Sequence, residues 1–269
     1  MPRIAICAPA TPITREDAAR VEAVAAEMAG VTLDFHPQCF EAAGHFAGSE
    51  EARLAALLEC ADDPASDAVW FAKGGYGSNH IAGEAVARMG EAARDKAFMG
   101  YSDTGYLLAG LYRAGIGRPV HGPMPVDIRK EGGEAAIRRA LAYMAGAGED
   151  GVEASVDKYP SVAFNLTTLA MLTGTGLMPD LSGHVVMVEE VAEHLYAVDR
   201  LFFHVTGNLS GIAGLRLGRI GDVPENDRPF GSTEEEIAQY WCARGGIPYL
   251  GRADIGHDAG NRIVPFGLA

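Results

Sequence analysis

Short apolar runs in the first half of this chain alternate with amphipathic stretches. Arg3–Ala8, Val31–Phe35, Ala68–Ala72 and Ala97–Gly100 are too short for helices and have the length of strands. Helical periods lie between and after them: Thr14–Met28, Ser49–Cys60, Ser78–Met89 and Thr104–Arg113. Thr14, with Asp17 three residues on, is a near capping box, and Ser49 caps a helix with acids in its first turn. Strands that alternate with helices at this spacing predict an α/β fold with a mostly parallel sheet, continued by Pro119–His121. The pattern then changes. A helix is expected over Gly132–Ala145, and the Gly-rich, acidic stretch Ala147–Lys158 reads as a linker or domain edge. Beyond it come a helix at Leu166–Leu172, a strand at His184–Val188, a helix at Leu195–Val205, a strand at Ile212–Leu217 and a helix at Thr233–Arg244 capped by Ser232. The division falls near 150, giving an N-terminal α/β domain over 1–150 and a smaller α/β domain over 151–269. A chain of 269 residues is long enough for both.

Charge and cysteine usage narrow the function. The net charge of −14 repels phosphate backbones, so nucleic acid is not an expected partner. Cys7, Cys39, Cys60 and Cys242 are scattered without zinc-site spacing, and Cys7 and Cys60 sit in apolar runs as small core residues. No run of 18 apolar residues and no signal-peptide pattern is visible. The expectation is a cytoplasmic protein with no membrane contact.

The chemistry concentrates where strands end. In FMGYSDTGYLL, Ser102 sits at a strand-to-helix corner, where a hydroxyl projects from the sheet edge and the next amides can meet negative charge. The hydrolase elbow is incomplete, because Asp103 replaces a small residue and no Gly stands two places after the serine. The alternative is that Ser102 or Asp103 merely caps a helix. KGGYGSN, residues 73–79, is a glycine turn between strand and helix, a poor dinucleotide fingerprint whose amides can instead face Ser102. For a base, His121 in PVHGPMP stands at a strand end on the expected active edge, and His257 in ADIGHDAGN stands in a Gly- and Asp-rich loop. Glu189 and Glu190 follow an apolar strand and point to opposite faces, so one of them faces a site. Glu190 with His194 is a possible metal pair, but it lacks a third ligand.

Taken in order, IAICAPATP, HFAGSEEARLAAL, DAVWFAKGGYGSNHI, FMGYSDTGYLL, VHGPM, VVMVEEVAEHLYAVDRLF and DIGHDAGNRIVPFG resemble the serine LD-carboxypeptidase family, which includes muramoyltetrapeptide carboxypeptidases and microcin-immunity hydrolases. The resemblance implies a Ser-Glu-His triad of Ser102, Glu189 and His257. It implies an oxyanion hole from the amides of Gly75 and Asp103, and substrate contacts from Tyr76, Gly77 and Asn165. It places the nucleophile on the N-terminal domain and the Glu and His on the C-terminal one. It further implies a homodimer, a small peptide substrate, no metal and no cofactor. The chain departs from the family pattern at Lys73, where Arg is usual, at Ala163-Phe164-Asn165, where Gly-Gly-Asn is usual, and at Ala197, where an Arg is lost. A pocket reshaped by Phe164 is the expected consequence.

Overall fold

The computed structural model describes residues 2–28, 30–148, 150–156 and 159–268. Strands β1 (Arg3–Cys7), β2 (Thr32–Phe35), β3 (Ala68–Phe71), β4 (Ala97–Gly100) and β5 (Arg118–His121) run parallel. Their spatial order is β5-β4-β3-β1-β2. The direction of winding reverses between β1 and β3, which opens a crevice at the C-terminal ends of those two strands. The connecting helices are α1 (Arg15–Ala26), α2 (Glu50–Asp62), α3 (Ser78–Arg88) and α4 (Gly105–Ala114), and α5 (Gly133–Met144) follows β5. Strand alternation divides the apolar side chains between two faces. Val69, Phe71 and Phe98 pack on α2, α3 and α4 through Leu57, Ile81 and Leu107. Ile6, Trp70 and Met99 pack on α1 and α5 through Val21 and Ile137.

A second parallel sheet, in the order β6-β7-β8-β9, comprises β6 (Ser161–Asn165), β7 (Val185–Val191), β8 (Gly214–Gly221) and β9 (Tyr249–Arg252). Its helices are α6 (Leu166–Leu172), α7 (Leu195–Asn208) and α8 (Glu234–Gly245). Phe164, Val186, Val188 and Leu215 join the core that also holds Phe71 and Phe98, so the two sheets share one apolar interior. The chain then returns. β10 (Val264–Pro265) pairs antiparallel with β5, Val264 opposite His121, and becomes the edge of the first sheet.

Several elements differ from the sequence reading. β7 runs on to Val191, so Glu189 and Glu190 lie inside a strand and not at its end. Thr233, not Ser232, caps α8, in a capping box with Glu236. β6, β9 and β10 have no counterpart in that reading. Within the expected linker Ala147–Lys158, residues 149, 157 and 158 lie outside the described ones. All four cysteines are free and buried. Among the described residues no helix is long and apolar enough to cross a membrane.

Candidate active site

Ser102 leaves β4 with φ 58°, in the left-handed region that disfavours any residue with a side chain. One 3-10 turn, Ser102–Thr104, leads from it into α4. Its carbonyl accepts a hydrogen bond from Thr168 Oγ1 on α6 (3.3 Å). A non-glycine residue held in this conformation marks a corner that the surroundings enforce.

Neither Ser102 nor Asp103 caps the helix that follows. Asp103 caps a different one. Its carboxylate accepts the backbone N–H groups of Gly77 (3.2 Å) and Ser78 (2.9 Å), at the start of α3. Ser78 Oγ donates back to the Asp103 carbonyl (2.6 Å). Burial raises the pKa of the Asp103 carboxyl, and the hydrogen bonds from Ser78 and Gly77 only partly offset it. Arg53, itself buried, donates to the carbonyls of Gly77 (2.7 Å) and Pro9 (2.8 Å). The glycine turn is thereby tied to the serine corner. A Cβ on Gly74 would lie 3.2 Å from Ser102 Cβ and 3.3 Å from the Asp103 nitrogen, so any larger residue would crowd the serine corner.

Glu189 reaches the site from the second sheet. The pairing of β7 with β8 shifts register between Val188 and Glu190. A bulge of this kind re-aims a side chain. The Glu189 carboxylate is fully buried and pairs through Oε2 with His257 Nδ1, and His257 Nε2 lies 3.0 Å from Ser102 Oγ. Burial raises the pKa of Glu189, against the pull of His257. Burial disfavours a charged His257, but the Glu189 carboxylate outweighs it and raises the imidazole above its ordinary value. The unbroken path Glu189–His257–Ser102 can take a proton from the hydroxyl and hold the resulting imidazolium.

His121, the other candidate base, lies at the end of β5 and serves elsewhere. It is fully buried, burial pushes its pKa down to about 4, and its Nε2 lies 3.0 Å from Asn261 Oδ1. That oxygen also accepts the Gly256 N–H (3.1 Å), so a neutral His121 steadies the loop that carries His257. Arg219 clamps the same loop, bonding Asp254 and Asp258 on either side of His257. Tyr101 lies beneath the imidazole with ring centroids 5.0 Å apart, and its hydroxyl donates to Asp127 (2.8 Å) and accepts from Lys130 (2.7 Å). Sequence reasoning missed Asn261, Arg219, Tyr101 and Lys130. Tyr101 and Asn261 stand beside the SD and GHD motifs, but Lys130 and Arg219 are far from both in the chain and carried no local signal.

The expected substrate contacts separate. Tyr76 is 49% exposed and sits among the rings of His45, Phe46 and His80. Gly77 is buried, its N–H and carbonyl both bonded within the protein. Asn165 caps α6 through the Thr168 N–H (3.1 Å) and donates to Glu190 Oε1 (2.6 Å). Glu190 points away from Ser102's partner and accepts from Asn165 and Thr167. His194 stacks on Tyr196, so the two residues considered as a metal pair are differently engaged. Among the described residues no cluster of three or more His, Cys, Asp or Glu could hold a metal ion. Phe164 does not line a pocket: it is 1% exposed and packs edge-on against Phe266. Lys73 is half-buried, and burial lowers its pKa.

Comparison with known proteins bears on the whole chain. Residues 4–122 match the LD-carboxypeptidase N-terminal domain, and residues 160–269 match the LD-carboxypeptidase C-terminal domain. The murein tetrapeptide carboxypeptidase of Pseudomonas aeruginosa is 28% identical over 98% of this chain and 91% of the relative. The crystal structure of muramoyltetrapeptide carboxypeptidase from Oxalobacter formigenes superposes with a TM-score of 0.81 at 24% identity, over 98% of this chain and 93% of that one. The microcin C7 self-immunity protein MccF shares the fold with a TM-score of 0.77 at 17% identity, over 99% of this chain and 91% of its own. The chain belongs to the LD-carboxypeptidase family, a family of peptidases, and has its mixed α/β architecture.

Proposed function

We propose that Ser102, His257 and Glu189 are the catalytic triad of a serine carboxypeptidase that releases the terminal D-alanine from murein tetrapeptide. The observation that carries this reading is the 3.0 Å approach of His257 Nε2 to a serine hydroxyl held at φ 58°. His257 takes the Ser102 proton as Oγ bonds to the carbonyl carbon, and the carbonyl electron pair moves to its oxygen. The amides of Gly75 and Asp103 receive that oxyanion. The glycine turn packed against Ser102 supports this role. As the C=O bond re-forms, the C–N bond breaks and His257 protonates the departing amine. Water, deprotonated by His257, then attacks the acyl ester, and Ser102 leaves with the proton. In this reading residues 1–150 carry the nucleophile and 151–269 the Glu and His.

A second substrate class, peptidyl nucleotides of the microcin type, has the exposed Tyr76 ring in its favour, since it offers a stacking face beside the glycine turn. We place the protein in the cytoplasm, which cell fractionation tests, as a homodimer, which sedimentation of the purified chain tests. The deciding experiment is mass spectrometry of murein tetrapeptide incubated with wild type and with Ser102→Ala. Loss of one D-alanine with wild type alone is the expected result. Intact tetrapeptide with both, alongside cleavage of a peptidyl nucleotide, moves the assignment to the second class.

A further inference from the structure

The opening motif IAICAPATP has no part in the mechanism above, yet one of its residues reaches the site. Thr11, on the loop after β1, is 4% exposed, and its hydroxyl donates to the Gly74 carbonyl (2.6 Å). This bond crosses the crevice between β1 and β3. The Gly74–Gly75 peptide is trans, since the described residues contain no cis peptide. In a trans peptide the carbonyl and the following N–H point in opposite directions. Whatever holds the Gly74 oxygen therefore sets the direction of the Gly75 N–H. The turn also sits on Thr11: a Cβ on Gly75 would lie 2.9 Å from Thr11 Cγ2, while one on Gly74 would meet Ser102. Gly75 itself has φ 99° and is exposed, so its own residue supplies little to fix that plane.

We propose that Thr11 is a positioning residue for the oxyanion hole: by holding the Gly74 carbonyl, its hydroxyl aims the Gly75 N–H at the oxygen of the tetrahedral intermediate. The proposal rests on the Ser102 hydrolase reading. A threonine that merely satisfies a buried carbonyl would contribute to stability and leave the chemical step alone.

The test compares wild type, Thr11→Ser, Thr11→Ala and Thr11→Val. Two rates are read: turnover of murein tetrapeptide, and labelling of Ser102 by a fluorophosphonate, whose phosphoryl oxygen needs the same donors but which requires no natural substrate. Removing an oxyanion donor outright costs about 10²–10³ in kcat, so misaiming one should cost about 10- to 100-fold. That loss is expected in kcat and in the labelling rate for both Ala and Val, with KM nearly unchanged and Thr11→Ser close to wild type. Ala and Val change the side-chain volume differently, so a shared loss reports the missing hydroxyl, and Ala still answers if Val does not fold. Wild-type labelling rates in Thr11→Ala overturn the proposal and leave the triad standing. Failure of wild type both to label and to turn over either substrate class overturns the triad reading, and the proposal with it.

Discussion

At the residue scale, backbone strain and one shared proton govern the site. Ser102 occupies the left-handed region, which costs a side-chain-bearing residue about 1 kcal/mol or more relative to glycine. Both Ser102→Ala and Ser102→Gly should abolish turnover, with Gly the more stable in urea denaturation by about 1 kcal/mol. Equal midpoints would mean that the corner relaxes without cost. In the proposed mechanism His257 is the base, a role it can fill only when neutral, and the Glu189 carboxylate raises its pKa above the ordinary value. The rate should therefore fall as pH drops through that raised value. Glu189→Gln removes the charge and leaves burial, which pulls the other way, so the acid limb of the kcat/KM profile should move to lower pH. The rate should also drop by about 10³- to 10⁴-fold through loss of tautomer control. An unmoved limb would assign the titration to another group.

At the element scale, the cap at Asp103 serves a helix other than the one it introduces. The SD motif reads locally as a nucleophile or as a cap for α4, but the Asp103 carboxylate caps α3, the helix after the neighbouring strand β3. Asp103→Ala should cost about 1–2 kcal/mol in urea denaturation, the usual worth of a cap, and should also lower kcat, because the same bonds tie the glycine turn to Ser102. A stability loss with full kcat would separate the two roles. The central strands β1, β3 and β4 were legible because both faces are buried and the runs are nearly all apolar. β9 was not, because its residues are partly exposed and Gly251 interrupts it. β10 has only two residues, one of them a proline, which suits an edge but leaves no pattern to read. β6 was hidden because SVAFN runs straight into α6 without a turn residue.

At the scale of the whole molecule, the hydrogen-bonded path exists only while both sheets hold their places. Ser102 follows a strand of the first sheet, Glu189 lies on the second, and His257 rides the loop between β9 and β10. The order of the motifs along the chain reveals the residue types, but the Arg219 clamp and the His121–Asn261 bond join positions 35 to 140 residues apart, which no local pattern encodes. The same distance hid the part played by Phe164. In the sequence it stands where a pocket-lining glycine is expected. In the fold its ring packs on Phe266, whose other neighbour is Tyr112 of α4, and a Cβ on Gly105 at the head of α4 would lie 3.4 Å from it. It therefore joins the second sheet to the helix that Ser102 introduces. Phe164→Ala should destabilise the protein by about 3–5 kcal/mol, the cost of a large core truncation. Because the ring does not face the crevice, KM at low temperature should stay near wild type while the loss of activity follows the shifted unfolding midpoint. A changed choice of substrate with unchanged stability would instead put the ring in the pocket.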